Sequence, residues 1–265
     1  MGCESKRVEE RKVPYWKGKF HVMVVAHRGF SGAAPENTLG AFRKALEAGS
    51  DMIELDVHLS KDGKIVVIHD ETLERTTDGQ GKVVDHTLED LKKLDAGSRF
   101  GADFSRERIP TLQEVLTLAK GKVLVNIEIK NPTHEKYAIT ELTEKALQEV
   151  KREEMLDRVI FSSFNPVSLE WLRKKEPRAR VAFLYHRPWN SIPELTGGRE
   201  FQVLNLRNIH LTREKVEKIR KGGFKLNVYT VNSEEELQQF VRWEVDGIIT
   251  NYPDRLIRIL KEKSP

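Results

Sequence analysis

Short β-rich runs alternate with helical patterns along most of the chain, and this alternation constrains the fold more than any other feature. One run, residues 65–68, follows its predecessor after only a short turn, whereas a parallel crossover needs a dozen or more residues. This run must therefore return antiparallel, as the second strand of a hairpin. The other eight runs predict a closed (β/α)8 barrel, and 265 residues suit one such domain. These eight runs are residues 22–26, 53–57, 123–130, 158–161, 179–184, 202–206, 225–231 and 247–250.

Residues 71–110 are rich in Thr, Asp, Gly and Arg and carry one short helical pattern, which begins at Thr87. A stretch of this length is too long for an ordinary loop of a compact domain. We predict a small insertion there. Together with the hairpin it would stand over the C-terminal face of the barrel, where sites of such barrels are built.

Residues 1–19 are charged throughout and predict a polar extension ahead of a single domain over residues 20–265. No apolar leader opens the sequence, and no apolar run approaches the ~20 residues of a membrane span. We therefore expect a cytoplasmic protein without a transmembrane segment.

The net charge of +4 raises the question of a nucleic-acid partner. Lys and Arg, however, alternate with Glu along the helical stretches 141–152 and 213–221, as on a solvated face. The charge pattern therefore predicts no nucleic-acid partner.

Two carboxylates share one face of the second barrel strand. Side chains two apart on a strand point the same way, so Glu54 and Asp56 face one side and the apolar residues the other. Like charges disfavour ionisation, so this face is either solvated or holds a cation. A two-residue turn at Lys61 and Asp62 would set the register of the hairpin. In that register His69 lies beside Glu54, and an imidazole next to paired carboxylates is typical of metal-assisted acid/base chemistry.

A third carboxylate lies on the next barrel strand, where Asn126, Glu128 and Lys130 share one face. If consecutive strands are neighbours, three carboxylates meet in the barrel mouth, which is costly without compensation. Lys130 could compensate as an ion pair. A hard divalent cation is the better explanation, because every candidate ligand is an oxygen, and we expect Mg²⁺ or Ca²⁺ rather than zinc. Cys3 is the only cysteine, which excludes a thiolate cluster.

The first barrel strand ends in His27 and Arg28. His27 and His69 would then flank the carboxylates. Arg28 and Lys130 would supply positive charge. This set suits displacement at a phosphoryl centre, where charge stabilisation and proton transfer share the work.

Motifs that contain these polar residues follow one another in a fixed order. They are His27-Arg28-Gly29, Pro35-Glu36-Asn37-Thr38, Glu54-Leu55-Asp56, His69-Asp70, Thr76-Thr77-Asp78-Gly79, Asn126-Ile127-Glu128-Ile129-Lys130, Ser162-Ser163-Phe164 and Asp246-Gly247-Ile248-Ile249-Thr250. Over residues 22–254 the chain thereby resembles the glycerophosphodiester phosphodiesterase family. The resemblance implies a (β/α)8 TIM barrel that hydrolyses glycerophosphodiesters to sn-glycerol 3-phosphate and an alcohol.

The resemblance also implies roles for the matching residues. One divalent cation, Mg²⁺ or Ca²⁺, would be held by Glu54, Asp56 and Glu128. The general acid/base pair would be His27 and His69. By similarity to the related phosphatidylinositol phospholipases C, His27 would be the base and His69 the acid.

Further matching residues would bind substrate or support the site. Arg28 and Lys130 would bind the phosphate. Glu36 and Asn37 would steady Arg28 and the histidine before it. Tyr229 stands where the family usually has Trp, so it would keep a flat apolar wall against the substrate and add a hydroxyl.

Three other functions stay open at this point. A lysophospholipase D would use the same site on a lysophospholipid, and exposed apolar residues in the insertion would favour it; the candidates are Phe100, Phe104 and Ile109. A metal-dependent isomerase or aldolase would have no use for two flanking histidines. A non-catalytic phosphodiester-binding protein would tolerate the loss of one. His58 is expected to be an exposed hairpin histidine, and the alcohol and the oligomeric state stay open.

Overall fold

Nine strands form one sheet in the part of the chain that the computed structural model describes, residues 18–130, 139–199 and 201–262. They are β1 (Met23–Ala26), β2 (Met52–Leu59), β3 (Ile65–Val67), β4 (Leu124–Ile129), β5 (Val159–Ser163), β6 (Arg180–Tyr185), β7 (Val203–Arg207), β8 (Lys225–Tyr229) and β9 (Gly247–Thr250). β1 pairs in parallel with β2 on one side and with β9 on the other, so the sheet closes on itself. β3 pairs antiparallel with β2. The predicted (β/α)8 barrel and its hairpin are confirmed.

Helices follow the barrel strands and cover their outer side, except for the short helix of residues 88–93, which packs within the insertion. They are α1 (Leu39–Ala48), α2 (Leu88–Lys93), α3 (Leu112–Ala119), α4 (Ile139–Arg152), α5 (Pro166–Lys175), α6 (Ile192–Thr196), α7 (Arg213–Lys221), α8 (Glu234–Arg242) and α9 (Pro253–Glu262). The helical pattern in the sequence that corresponds to α4 runs over residues 135–151, and its first part, residues 135–138, lies outside the described residues. None of the described helices combines the length and the apolar composition needed to cross a bilayer.

Local signals in the sequence set the helix ends. Thr38 caps the start of α1, and Gly49 ends it in a left-handed conformation with φ 88°. Thr111 and Glu114 form a capping box at the start of α3. Asn165 caps α5 ahead of a proline in the first turn.

Alternation along the strands decides which side chains face the barrel interior. Met52 belongs to an apolar cluster drawn from most of the barrel strands, whereas Ile53 and Leu55 pack in the larger cluster shared with the helices. Glu54 and Asp56 are in phase with Met52, so they point into the barrel above this apolar floor.

The segment predicted as an insertion has a small apolar core of its own beside the hairpin. Leu73, Leu91 and Ile109 pack there against Ile68. The expectation that Ile109 is exposed is therefore wrong, because the segment needs apolar side chains to hold it on the barrel. Residues 1–17 of the predicted extension lie outside the described residues, and Lys19 is already bonded to the domain.

Candidate active site

The C-terminal ends of three neighbouring strands carry the predicted site residues. β2 carries Glu54 and Asp56, and the parallel register sets Asp56 beside Glu128 of β4. His27 and Arg28 directly follow β1, which pairs with β2. Barrel closure thus brings together residues that are far apart in the sequence.

The carboxylates of Glu54, Asp56 and Glu128 form a buried cluster in which each offers an oxygen within 4.8 Å of the others. Burial, followed by the charges of Asp56 and Glu128, raises the pKa of Glu54 well above its usual value. Burial also raises the pKa of Glu128. The protein alone leaves negative charge in this cluster unbalanced, and a bound cation would relieve it.

Arg28 and Lys130 compensate part of that charge. Lys130 Nζ lies 2.8 Å from Glu128 Oε1 and 3.3 Å from Asp56 Oδ1, and Arg28 Nε lies 3.4 Å from Asp56 Oδ2. Burial alone would raise the pKa of Asp56, but Lys130 and Arg28 outweigh it and hold this pKa well below its usual range. Glu54 accepts the backbone N–H of Arg28 at 2.9 Å. Among the described residues, no lysine or arginine side chain lies within ion-pair distance of the Glu54 carboxylate, so the Lys130 ion pairs leave Glu54 without a direct cationic partner.

Glu36 and Asn37 support the site from the loop before α1. Glu36 Oε1 accepts a hydrogen bond from Arg28 Nη1 at 2.7 Å. Asn37 Nδ2 donates to Asp56 Oδ2 at 2.9 Å, and its backbone N–H donates to the carbonyl oxygen of Arg28. Asn37 has φ 58°, a conformation that asparagine tolerates better than most residues. Glu36 and Asn37 thus both contact Arg28, whereas the side chain of His27 is held by a different residue.

His27 is held by Asn251, which directly follows β9 and which the sequence motifs do not include. Nδ1 of His27 lies 2.7 Å from Oδ1 of Asn251, and because an amide oxygen only accepts, Nδ1 carries the proton. Nε2 lies 4.0 Å from Glu54 Oε2. Burial, followed by the charge of Arg28, lowers the pKa of His27 to about 4. The ring is therefore neutral near pH 7, with a free lone pair on Nε2. Its position immediately after a barrel strand is the one sequence signal that marks Asn251.

His69 lies at the end of the hairpin and is paired with a carboxylate. Its Nδ1 is 2.5 Å from Asp70 Oδ1. Burial would raise the pKa of Asp70, but hydrogen bonds from Arg75 and His69 outweigh it and bring the pKa to about 2. His69 is close enough to Asp56 and Glu128 that a positive charge on its ring would lower the pKa of both. His69 is therefore within electrostatic reach of the carboxylate cluster.

The hairpin has a three-residue turn rather than the predicted two-residue turn. Val57 pairs with Val67, because Gly63 extends the turn in a left-handed conformation with φ 70°. The predicted register, which set His69 directly beside Glu54, is wrong by one residue.

His58 is buried rather than exposed, and the expectation of an exposed hairpin histidine is wrong. The insertion packs against the hairpin and shares a core with it, which sequence periodicity does not reveal. The Nε2 of His58 donates to the carbonyl oxygen of His69 at 3.1 Å. His58 thus supports the backbone of His69.

Tyr229 ends β8 and forms part of an aromatic wall. Its ring meets that of Phe164 edge-on, with 6.3 Å between centroids, and its hydroxyl donates to the carbonyl oxygen of Tyr185 at 3.1 Å. Burial, followed by the charge of Glu128, raises the pKa of Tyr229. Because the hydroxyl is already hydrogen-bonded to the backbone, the ring is the part of this side chain that is suited to line a substrate pocket.

Comparison with known sequences gives consistent matches. The model of the glycerophosphoryl diester phosphodiesterase family matches residues 27–255. A glycerophosphodiester phosphodiesterase of Caldanaerobacter subterraneus subsp. tengcongensis is 45% identical over 245 residues, which are 91% of this chain and 98% of that protein. Glycerophosphodiester phosphodiesterase 1 of Homo sapiens is 35% identical over 183 residues, which are 68% of this chain and 54% of that protein.

Solved structures match along nearly the whole chain. A phosphodiesterase of Oleispira antarctica, in complex with the product sn-glycerol-3-phosphate, superposes with a TM-score of 0.84 and 30% identity, covering 90% of this chain and 96% of that one. A glycerophosphodiester phosphodiesterase of Thermotoga maritima superposes with a TM-score of 0.70 and 32% identity, covering 89% and 98%.

Proposed function

Because the chain belongs to the glycerophosphoryl diester phosphodiesterase family, we propose that it hydrolyses glycerophosphodiesters to sn-glycerol 3-phosphate and an alcohol by metal-assisted, two-histidine acid/base catalysis. It is an enzyme of the phosphodiesterase class, so the isomerase, aldolase and non-catalytic alternatives are set aside. The observation that carries the mechanism is the buried cluster of three carboxylates near two differently partnered imidazoles.

Glu54, Asp56 and Glu128 are the residues that would hold the cation. All three residues are buried and offer only oxygen atoms as ligands, which fits Mg²⁺ or Ca²⁺. Burial and mutual repulsion raise the pKa values of Glu54 and Glu128, and a cation would offset that repulsion. When bound, such an ion would supply positive charge at the phosphoryl centre and stabilise the negative charge that develops there.

Arg28 and Lys130 bind the phosphate in this proposal. Both side chains are largely buried next to the carboxylates, where a charge acts through little water. The negative charge that develops on the phosphoryl oxygens would therefore be stabilised by groups already in place.

His27 is the general base. The Nδ1–H group of His27 is hydrogen-bonded to Asn251, so the unprotonated Nε2 takes a proton from the attacking oxygen. That oxygen belongs to water or to the neighbouring glycerol hydroxyl. Attack by water forms the new P–O bond directly, whereas attack by the hydroxyl first gives a cyclic phosphate that water then opens.

His69 is the general acid. Asp70 engages Nδ1, which leaves Nε2 to protonate the leaving alcohol as its bond to phosphorus breaks. A carboxylate beside Nδ1 stabilises the imidazolium form of the ring, which is the form that can give up the proton on Nε2.

Product analysis tests the proposed function. The purified enzyme is incubated with glycerophosphocholine or glycerophosphoethanolamine, with Mg²⁺, with Ca²⁺ or with excess EDTA. We expect glycerol 3-phosphate with either ion and none with EDTA. Release of the free alcohol at an unchanged rate after thorough chelation would contradict the metal-assisted mechanism.

A lysophospholipase D activity is the second candidate. Three large apolar side chains, Phe100, Val167 and Ile209, are between 47% and 62% exposed. Phe100 lies in the insertion, and Val167 and Ile209 follow the C-terminal ends of β5 and β7. An acyl chain could contact such residues, whereas Phe104 is only partly exposed. The same assay with lysophosphatidylcholine separates the candidates, because only this activity releases choline from it. Phe100→Ser combined with Ile209→Ser should then lower the rate on the lysophospholipid but not on glycerophosphocholine.

A further inference from the structure

Arg75 links the part of the site that contains Arg28 to the part that contains His69. It lies in the insertion, five residues after Asp70, and its guanidinium contacts two carboxylates at once. Nε and Nη2 donate to Asp70 Oδ2 and Oδ1 at 2.5 and 3.2 Å. Nη1 and Nη2 donate to Glu36 Oε2 and Oε1 at 2.8 Å each. The planar fork of arginine is the side chain that makes such paired bidentate contacts.

Each of these carboxylates holds a residue of the proposed mechanism. Glu36 Oε1 also accepts from Arg28 Nη1 at 2.7 Å. Asp70 Oδ1 also engages Nδ1 of His69 at 2.5 Å. A continuous series of charged contacts therefore leads from the phosphate-binding arginine through Arg75 to the general acid.

We infer that Arg75 is a positioning residue, one that fixes Arg28 and His69 relative to each other, an inference that rests on the function proposed above. Arg28 comes from the end of β1, and His69 from a hairpin that rises above the barrel. Without Arg75 each carboxylate would keep its own partner. However, no side chain in the described part of the chain would then hold the Arg28–Glu36 pair in place relative to the His69–Asp70 pair. A small misplacement of reacting groups lowers the reaction rate strongly.

Exposure and charge argue against a mainly stabilising role. The Arg75 side chain is 46% exposed, and exposed ion pairs add little to stability. Hydrogen bonds from Arg75 instead help to hold the pKa of Glu36 below its usual value against the effect of burial. Arg75 therefore also favours the ionised form of Glu36, which accepts the hydrogen bond from Arg28.

The first test compares Arg75→Ala and Arg75→Lys with Arg108→Ala. Arg108 lies in the same segment, but among the described residues its guanidinium donates hydrogen bonds only to the carbonyl oxygens of Ser105 and Glu107. We expect Arg75→Ala to lower kcat on glycerophosphocholine about 10–100-fold, as for other residues that orient a reacting group, with a smaller change in KM and in Tm. Arg75→Lys should remain near the alanine variant, because lysine lacks the fork. Arg108→Ala should match the wild type.

A rescue experiment separates positioning from a general loss of structure. Guanidinium chloride at millimolar, non-denaturing concentration should restore part of the kcat of Arg75→Ala, whereas methylammonium should not. In a Glu36→Gln background, Arg75→Ala should cost less than in the wild type, because residues of one network are not additive.

Each result decides the inference. Arg75→Ala at the wild-type kcat would overturn it, as would a loss of activity that accompanies a lowered Tm and is not rescued. If instead the wild-type enzyme releases no glycerol 3-phosphate from any diester, the proposed function itself has failed, which is a different result from an active wild type with an inert Arg75.

Discussion

The two imidazoles of the site differ in the group that fixes each of them. His27 is held by a neutral amide oxygen, and His69 by a carboxylate. Asp70 therefore adds negative charge beside one ring, whereas Asn251 adds none beside the other. At the scale of single residues, this difference is what distinguishes the proposed base from the proposed acid.

The roles of the two histidines can be separated with two substrates. His69→Ala removes the proton for the leaving alcohol, so kcat on glycerophosphocholine should fall about 10²–10⁴-fold. A glycerophosphodiester of p-nitrophenol needs no such proton, so the same variant should lose much less on it. His27→Ala should lose a similar factor on both substrates. Equal losses by His69→Ala on both substrates would contradict the assignment.

Among the secondary-structure elements, the turn between β2 and β3 sets the register that carries His69. Gly63 has φ 70° in this turn. Gly63→Ala places a Cβ in the left-handed region and should lower the free energy of unfolding by about 1–2 kcal/mol. Gly63→Asn is the matched control, because asparagine adopts this conformation more readily while meeting the same neighbour, Lys145 Nζ. Urea unfolding curves measure both variants, and an equal loss in the two would contradict the conformational explanation.

The junction between α4 and α5 gives a pH-dependent contribution to stability. Glu176 accepts from Lys151 Nζ at 3.0 Å and from Arg178 Nε at 3.2 Å. Burial alone would raise the pKa of Glu176, but these bonds outweigh it and the pKa lies below its usual value.

This lowered pKa predicts the sign of a stability change. As the pH falls, Glu176 is protonated in the unfolded chain at a higher pH than in the folded protein. Its contribution to the free energy of unfolding is therefore complete above the unfolded glutamate pKa of about 4.3, and it disappears as the pH falls through the folded pKa. Glu176→Gln should therefore be less stable than the wild type at pH 7, by less than about 1 kcal/mol because Lys151 is half exposed. The difference should shrink below pH ~4. Urea unfolding at both pH values measures it, and a constant difference would contradict the ion-pair origin.

Local patterns predicted the elements well, but not every contact between them. Strand alternation is enough to place Glu54 and Asp56 on the inner face, since it depends on neighbouring residues only. The register of the hairpin depends on the backbone conformation of Gly63, which composition does not determine. Asn251 and Arg75 reach the site only through barrel closure and the folded insertion, so no periodicity marks them.

For the whole molecule, the buried carboxylates link ion binding to stability. A ligand that binds only the folded state adds about 2.7 kcal/mol at roughly 100 times its Kd. Mg²⁺ or Ca²⁺ should therefore raise Tm, and EDTA should abolish the increase. A Glu54→Gln, Glu128→Gln double variant should show no ion-dependent shift and a higher Tm than the ion-free wild type, because it lacks the mutual repulsion. Calorimetric scans measure both, and an ion-dependent shift that persists in the variant would place the ion elsewhere.

The proposed base, His27, directly follows the first strand of the barrel, and Asn251, whose side-chain amide holds it, follows the last. A ribosome-bound chain that has emerged only as far as β8 contains the three carboxylates, His69, Arg28 and Lys130, but it lacks the amide that holds His27. We therefore expect phosphodiester hydrolysis by a growing chain to begin only after Asn251 has been synthesised and the barrel has closed.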